Sequence, residues 1–376
     1  MSNKAHMTGS ERLGSQAILT IDLDALVANW RAMGARAAPA QCAAVVKADA
    51  YGIGVKPAAL ALSRAGCVSF FVAHINEAIH LRAILGAAPA DIYCLNGLPD
   101  DSAAIAALLD ADIFPVLGSA TEWTLWQAQA PNRKAALHVD TGMNRLGISP
   151  AEAAVIGATP AADNVALVMS HFASSEEPDN PMNAAQHAAF DAVRQLFPHA
   201  RASLANSSGV FLPSTPHYDL VRAGYAIYGG NPTPGAPNPM QSVVHLQAPI
   251  IQLREVEAGA CVGYNSIWRA PSARRLATIG TGYADGLLRS ASGSQEKPGA
   301  QACIGGMLCP IVGRVSMDLC VIDVTDAPVT ATAPGALVEL LGATIAIDDL
   351  AARANTIGYE ILTSLSSRYY RQYVGG

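Results

Sequence analysis

"CAAVVKADAYGIGVKPAALALSRAG" (Cys42–Gly66) decides the fold. A short apolar run, 42–46, ends in a lysine; a glycine-punctuated turn follows; then comes an alanine- and leucine-rich stretch with helical spacing. The order is strand, turn, helix. The same order recurs along the chain. Further apolar runs stand at "VSFFVA" (68–73), "DIYCL" (91–95), "DIFPVL" (112–117), "AALHVD" (135–140), "VALVMSHF" (165–172), "RASLAN" (201–206) and "YDLVRAG" (218–224). Strands that are apolar on both faces and separated by helices form parallel β/α units. Eight such units close into a barrel whose chemistry lies at the strands' C-terminal ends. The expected class is therefore α/β, with an N-terminal (β/α)8 TIM-type barrel.

After Tyr228 the pattern changes. "GGNPTPGAPNP" (229–239) has linker composition, and beyond it "VVHLQAPIIQLREV" and "CPIVGRVSMDLCVIDV" read as strands with few helices between them. The expected organisation is a flexible tail over 1–15, a barrel over 16–241, and a mainly β domain over 242–376. The strand-like "AILTIDL" (17–23) precedes the first barrel helix, so residues 16–23 are expected to pair with the second domain. A 376-residue chain that is 51% hydrophobic and only 14% charged can bury a large core. Its net charge of −6 offers no basic surface for nucleic acid or an anionic membrane. Seven cysteines without a C-x-x-C pair fit reduced thiols and a cytoplasmic location rather than a zinc site or disulfide framework. The first fifteen residues carry no apolar signal region.

The chemistry follows from the strand ends. Only five lysines occur among 24 lysines and arginines, so a lysine at the end of the first run is a choice of amine over guanidinium, and an amine can act as a nucleophile. Lys47 is followed by Tyr51. The fifth run leads into "HVDTGMNRLG", with His138, Asp140 and Arg145; the sixth ends at His171; the seventh leads to Asn206 and Ser207; the eighth carries Arg222, Gly224 and Tyr225. Singly, each has a structural explanation: a solvated rim lysine, a hydrogen-bonded histidine, a serine helix cap. Together they supply an amine nucleophile, two permanent cations, and hydroxyl and backbone donors for an anion. That set fits a phosphate-bearing aldehyde held as a Schiff base, pyridoxal 5′-phosphate. No metal site is expected.

"VVKADAYGIG", "HVDTGMNRLG", "SHFA", "VRAGYAIYG", "GYNSIW", "GYADG", "GRVSMD" and "TIGYE" together resemble bacterial alanine racemase, from about residue 17 to 370 and in the family's order. The resemblance implies a two-base interconversion of L-alanine and D-alanine, with cell-wall peptidoglycan as the default use of the product. It implies that Lys47 carries the cofactor and that Tyr51, Ser207, Tyr359 and the backbone of Gly224 and Tyr225 bind its phosphate. Arg222 would face the pyridine nitrogen. A guanidinium there keeps its own protons, so it limits delocalisation into the ring and disfavours transamination. Lys47 and Tyr264 would be the two bases, with His171 assisting the tyrosine. Tyr264 would come from the second subunit of a homodimer. Arg145 and the backbone of Met317 would receive the substrate carboxylate, and Tyr283 with Tyr359 would narrow the entrance, with Arg289 and Arg314 further out.

One position departs from the family. Many members carry a carbamylated lysine two residues before the "DTGM" aspartate; here His138 stands there. Histidine supplies no negative charge to orient Arg145, so a bound anion or a nearby acid is expected instead. Three rival readings remain: a basic amino-acid decarboxylase of similar architecture, disfavoured by Arg222; a broad-specificity or serine racemase; and a non-catalytic carrier of the cofactor, disfavoured by the β domain bearing Tyr264.

Overall fold

The computed structural model describes residues 16–213 and 216–376; the tail expected over 1–15 lies outside the described residues. The chain opens with β1 (Ile18–Asp22) and α1 (Leu23–Ala37), whose first turn is capped by the Asp22 carboxylate accepting from Ala25 N–H. Eight barrel strands follow: β2 (Gln41–Val45), β3 (Ser69–Val72), β4 (Asp91–Cys94), β5 (Phe114–Leu117), β6 (Ala135–His138), β7 (Val165–Met169), β8 (Arg201–Ser203) and β9 (Leu220–Ala223). They pair in parallel in the order β8-β7-β6-β5-β4-β3-β2-β9. The ring closes where Asp219 N–H donates to Ala202 O (3.1 Å) and Arg222 N–H donates to Ala205 O (3.0 Å). Every one of the eight apolar runs is a barrel strand.

The intervening helices are α2 (Lys47–Tyr51), α3 (Val55–Arg64), α4 (Ile75–Leu85), α5 (Ser102–Asp110), α6 (Ala120–Gln129), α7 (Pro150–Gly157) and α8 (Pro181–Arg194). Their starts are written in the sequence: the side chains of Asp101, Ser119, Ser149 and Asn180 each accept a backbone N–H of the helix they precede. After β8 and β9 only short 3-10 turns form, at Ser208–Phe211 and Tyr225–Tyr228. Helix α1 covers the barrel there instead, and buried Asn29 fastens it by donating to Gln241 O at 2.9 Å and accepting from Gln241 N–H at 2.8 Å.

The second part is mainly β. Its strands are β10 (Val244–Val256), β11 (Cys261–Val262), β12 (Trp268–Arg269), β13 (Arg274–Ile279), β14 (Gln301–Ile304), β15 (Met307–Pro310), β16 (Cys320–Asp323), β17 (Leu337–Leu341) and β18 (Tyr370–Val374), with two short helices, α9 (Ile347–Arg353) and α10 (Gly358–Thr363). The main sheet runs β15-β14-β17-β10-β1-β18. Thus β1 leaves the barrel and lies between β10, antiparallel, and β18, parallel. One continuous apolar core runs through both parts. All seven cysteines are free thiols, six of them buried.

Because Ile21 of β1 is fully buried in that shared core, Ile21→Ala should cost about 2–5 kcal/mol. Equilibrium denaturant unfolding of the full chain would measure this, and a cost near zero would mean that β1 is not integral to the sheet.

Candidate active site

Lys47 does not end a strand, as the apolar run implied; it opens a helical turn of the wrong hand. Ala48, Asp49, Ala50 and Tyr51 all have φ of 53–54°, and Gly52 at φ 82° ends the turn. For L-residues this conformation costs about 1–2 kcal/mol each and rarely extends beyond one residue. Surrounding bonds hold it: Gly54 N–H donates to Asp49 O (2.9 Å), Val55 N–H to Asp49 Oδ1 (2.7 Å), and Ala48 N–H to Glu77 Oε1 (2.7 Å). Strain of this kind concentrates at functional sites. The Lys47 amine is pushed below its ordinary range by burial first and by the Arg145 charge second, while Glu77 opposes the shift.

Lys47 lines a cavity of about 630 Å³ at the C-terminal end of the barrel, together with Tyr51, His138, Arg145, His171, Ser207, Arg222, Gly224, Tyr225 and Tyr359. These residues come from separate stretches of chain, and only barrel closure unites them. Arg222 is the buried centre. Its Nη1 donates to Ser203 O (2.9 Å) and Ser203 Oγ (2.6 Å), and its Nη2 donates to Ser170 O (2.5 Å) and Leu204 O (3.2 Å). Nη2 also lies 3.2 Å from His171 Nδ1. Burial pushes the guanidinium down to about 9, which still leaves it charged at neutrality. Because a guanidinium only donates, His171 Nδ1 must accept, and the imidazole proton therefore sits on Nε2. Burial, then the Arg222 charge, hold His171 well below its ordinary range, so it stays neutral.

Next to Arg222 is a nest of donors. The Gly224 and Ala226 N–H groups both donate to Ser207 Oγ, at 3.0 and 3.3 Å. Tyr51 stacks on Tyr228 with centroids 4.6 Å apart, and Tyr225 stacks on Tyr359 at 4.0 Å. Burial raises the phenols of Tyr51, Tyr225 and Tyr359, so they remain neutral hydrogen-bond donors. Tyr225 spends its donor on Asp348 (2.6 Å), which leaves its backbone for a ligand. A Cβ at residue 224 would sit 2.5 Å from Tyr51 Oη; only glycine keeps that space open. Converging N–H groups and neutral hydroxyls suit a dianion, and together with the adjacent lysine amine they fit pyridoxal 5′-phosphate.

Arg145 reaches the cavity from a loop that folds back on β6. The Asp140 carboxylate accepts from Gly142, Met143 and Asn144 N–H at 2.9 Å each, and Gly147, at φ 116°, packs so closely that a Cβ would lie 2.7 Å from Asp140 N. Asp140 is thereby used up on its own loop. Among the described residues, no carboxylate forms an ion pair with Arg145. His138 is pushed down to about 4, mainly by burial and then by Arg222, so it is neutral. Of the two substitutes expected for the family's carbamate, the acid is not found beside Arg145 among the described residues.

Tyr264, Tyr283 and Met317 lie outside the cavity, as do the outer arginines Arg289 and Arg314. Tyr264, Tyr283 and Met317 are 68%, 41% and 54% exposed on the β domain. The Tyr283 and Met317 loops are clasped together, with Tyr283 N–H on Ser316 O and Ala284 N–H on Met317 O, both at 3.0 Å. Gly263 and Gly313, with φ of 70° and 74°, shape the backbone beside Tyr264. Arg314 borders a separate surface hollow with Lys297 and Ser294. The sequence reading missed Glu77, which holds the lysine turn, and Asn96 and Leu95 in the cavity wall. It also missed Asp348 and Glu176, which hold Tyr225 and Tyr359. No local motif marks these residues; only their contacts do.

The fold and cavity define a barrel of the enzyme type, with a lysine amine beside a nest of hydrogen-bond donors. The chain belongs to the alanine racemase family: the family's N-terminal domain matches residues 21–232 and its C-terminal domain residues 243–373. Alanine racemase of Methylobacterium nodulans is 51% identical over 98% of this chain and 99% of its own. Alanine racemase of Methylobacterium sp. (strain 4-46) is 50% identical over 98% of this chain and 100% of its own. The crystal structure of alanine racemase from Bartonella henselae with covalently bound pyridoxal phosphate superposes with a TM-score of 0.89 at 39% identity, covering 96% of this chain and 100% of that one.

Gly224→Ala should drive the Tyr51 hydroxyl out of the nest and weaken binding of pyridoxal 5′-phosphate by about tenfold or more, roughly 1.4 kcal/mol. Fluorescence titration of the cofactor-free protein would show this, and unchanged affinity would rule out the nest as the phosphate site.

Proposed function

We propose that this protein is a two-base alanine racemase, interconverting L-alanine and D-alanine with pyridoxal 5′-phosphate. The observation that carries the proposal is Arg222: it is buried at the cavity centre among carbonyls and an imidazole, with no carboxylate as partner among the described residues. A basic amino-acid decarboxylase would need an acid at that point.

When bound, the cofactor withdraws electrons from the amino acid's Cα and makes its proton removable. Lys47 would hold it covalently, the Ser207–Gly224–Tyr225 nest with Tyr51 and Tyr359 would hold its phosphate, and Arg222 would face its ring nitrogen. Arg145 and the Met317 backbone would grip the substrate carboxylate. Lys47, whose charged form is disfavoured by burial and then by Arg145, takes or returns the Cα proton on one face, that of D-alanine. Racemisation requires a second base on the opposite face. Tyr264 is exposed and outside its own chain's cavity, so we assign it to the cavity of a second copy in a homodimer, where it serves L-alanine. His171, with its proton on Nε2, can donate to the phenolate and ease its formation. An anion held by Arg145 beside neutral His138 takes the place of the family's carbamate. No helix among the described residues is long and apolar enough to cross a membrane; we assign the enzyme to the cytoplasm and its D-alanine to peptidoglycan.

Tyr264→Phe should lower racemisation by about 100-fold or more, the usual worth of a general base, while the yellow lysine-linked cofactor persists. Polarimetry with L-alanine, beside a visible spectrum, would decide: a carrier protein would be indifferent to the change. L-serine and L-lysine run alongside would separate an alanine enzyme from a broad-specificity one.

The pH profile has a definite sign. Lys47 acts as a base only when released and neutral, and burial and Arg145 hold its amine below the ordinary 10.5; kcat, which reports the substrate-bound enzyme, should therefore climb with pH and level off below that value. His171, already neutral, should add no further rise near its ordinary range. A rise that continues beyond pH 10.5 would show that Lys47 is not the base.

A further inference from the structure

We infer that Glu77 is a positioning residue for Lys47: its carboxylate ties the start of helix α4 to the left-handed turn that aims the amine into the cavity. The inference rests on the reaction proposed above. Oε2 of Glu77 accepts from the N–H groups of Ala73 (2.8 Å) and His74 (3.0 Å), the ordinary work of an acid in a helix's first turn. Oε1 reaches across to the neighbouring β/α loop and accepts from Ala48 N–H at 2.7 Å. Capping α4 does not require that second oxygen.

Ala48 follows Lys47 directly and is the first residue of the positive-φ turn. Its N–H has no other acceptor among the described residues. The bonds from Val55 and Gly54 to Asp49 secure the far end of the turn; at the near end, Val46 N–H on Phe71 O (2.8 Å) fixes the strand but not the residue after the lysine. Without Glu77, Ala48 is free to relax towards negative φ, which swings the Lys47 side chain. Electrostatics adds a second effect. The charged and titratable groups facing Lys47 are Arg145 from the loop after β6, His171 from the end of β7, and Glu77 from α4. Glu77 is the negative one among them, so it favours the ammonium present once Lys47 has taken a proton.

The test uses full-length holoenzyme as wild type, Glu77→Gln and Glu77→Asp. Glutamine keeps the length but loses the charge and turns an NH2 towards at least one N–H donor. Aspartate keeps the charge and can still cap α4, but is one methylene too short to reach Ala48. Both should leave the thermal midpoint near wild type and speed amide hydrogen exchange in segment 46–52 by about tenfold or more, leaving other segments unchanged. Both should lower kcat by about 100-fold while KM changes little, the usual effect of misplacing a catalytic group by about 1 Å. In Glu77→Gln the pH titration of the lysine-linked chromophore should also move to lower pH. Wild-type kcat with unaltered exchange at 46–52 in either folded variant overturns the proposal. So does a loss that follows the thermal midpoint, with exchange faster along the whole chain. Should wild type itself show no lysine-linked chromophore and no loss of alanine's optical rotation, the functional reading fails; the exchange at 46–52 still judges the tether.

Discussion

A guanidinium sealed at the barrel mouth, with oxygen acceptors and one imidazole nitrogen around it, constrains everything nearby. Taking a permanent charge out of water is costly unless its donors are satisfied, and Arg222 meets that cost with carbonyls following β7 and β8 and the Ser203 hydroxyl. Strands β7, β8 and β9 are thereby fixed relative to one another at the point where the ring closes. The same cation dictates the tautomer of His171. Its field helps to keep His138 and His171 neutral, so one side chain sets the protonation of much of the cavity.

Lys47 belongs to a different economy, one of conformation. Four successive left-handed residues would not persist in a free peptide; here carboxylates, carbonyls and the packing of Tyr51 on Tyr228 hold them. The β domain contributes as well. Asp348 accepts from Tyr225 Oη and from Asn231 N–H, and Tyr359 lies flat on Tyr225, so the donor nest is braced by both parts of the chain. The exposed residues Tyr264, Tyr283 and Met317 do not line this cavity, which is why a second copy enters the functional reading.

Much of the barrel could be read directly. Eight apolar runs became eight strands because burial on both faces demands uninterrupted apolar sequence, and that demand is local. Strand direction then carried Arg145, His171, Ser207 and Arg222 to one rim. The reading faltered where geometry depends on partners distant in sequence. Lys47 looked like the end of a strand, because nothing in "KADAYG" announces a left-handed turn made mostly of alanine, aspartate and tyrosine. Glu77 went unread, because its contact with Ala48 is visible only in space. The eighth β/α unit lacks its own long helix, and α1, from the start of the chain, supplies the cover.

Residue order alone determined the alternation of strand and helix, the helix starts at Asp22, Asp101, Ser119, Ser149 and Asn180, and the set of chemical groups available, because hydrophobic period and capping act over a few residues. Tertiary structure alone decided which groups meet. It buried Arg222, left Arg145 without an ion-paired acid among the described residues, lowered the Lys47 amine and put Tyr264 beyond its own cavity. Burial, field and contact are properties of the closed barrel and are absent from any single segment.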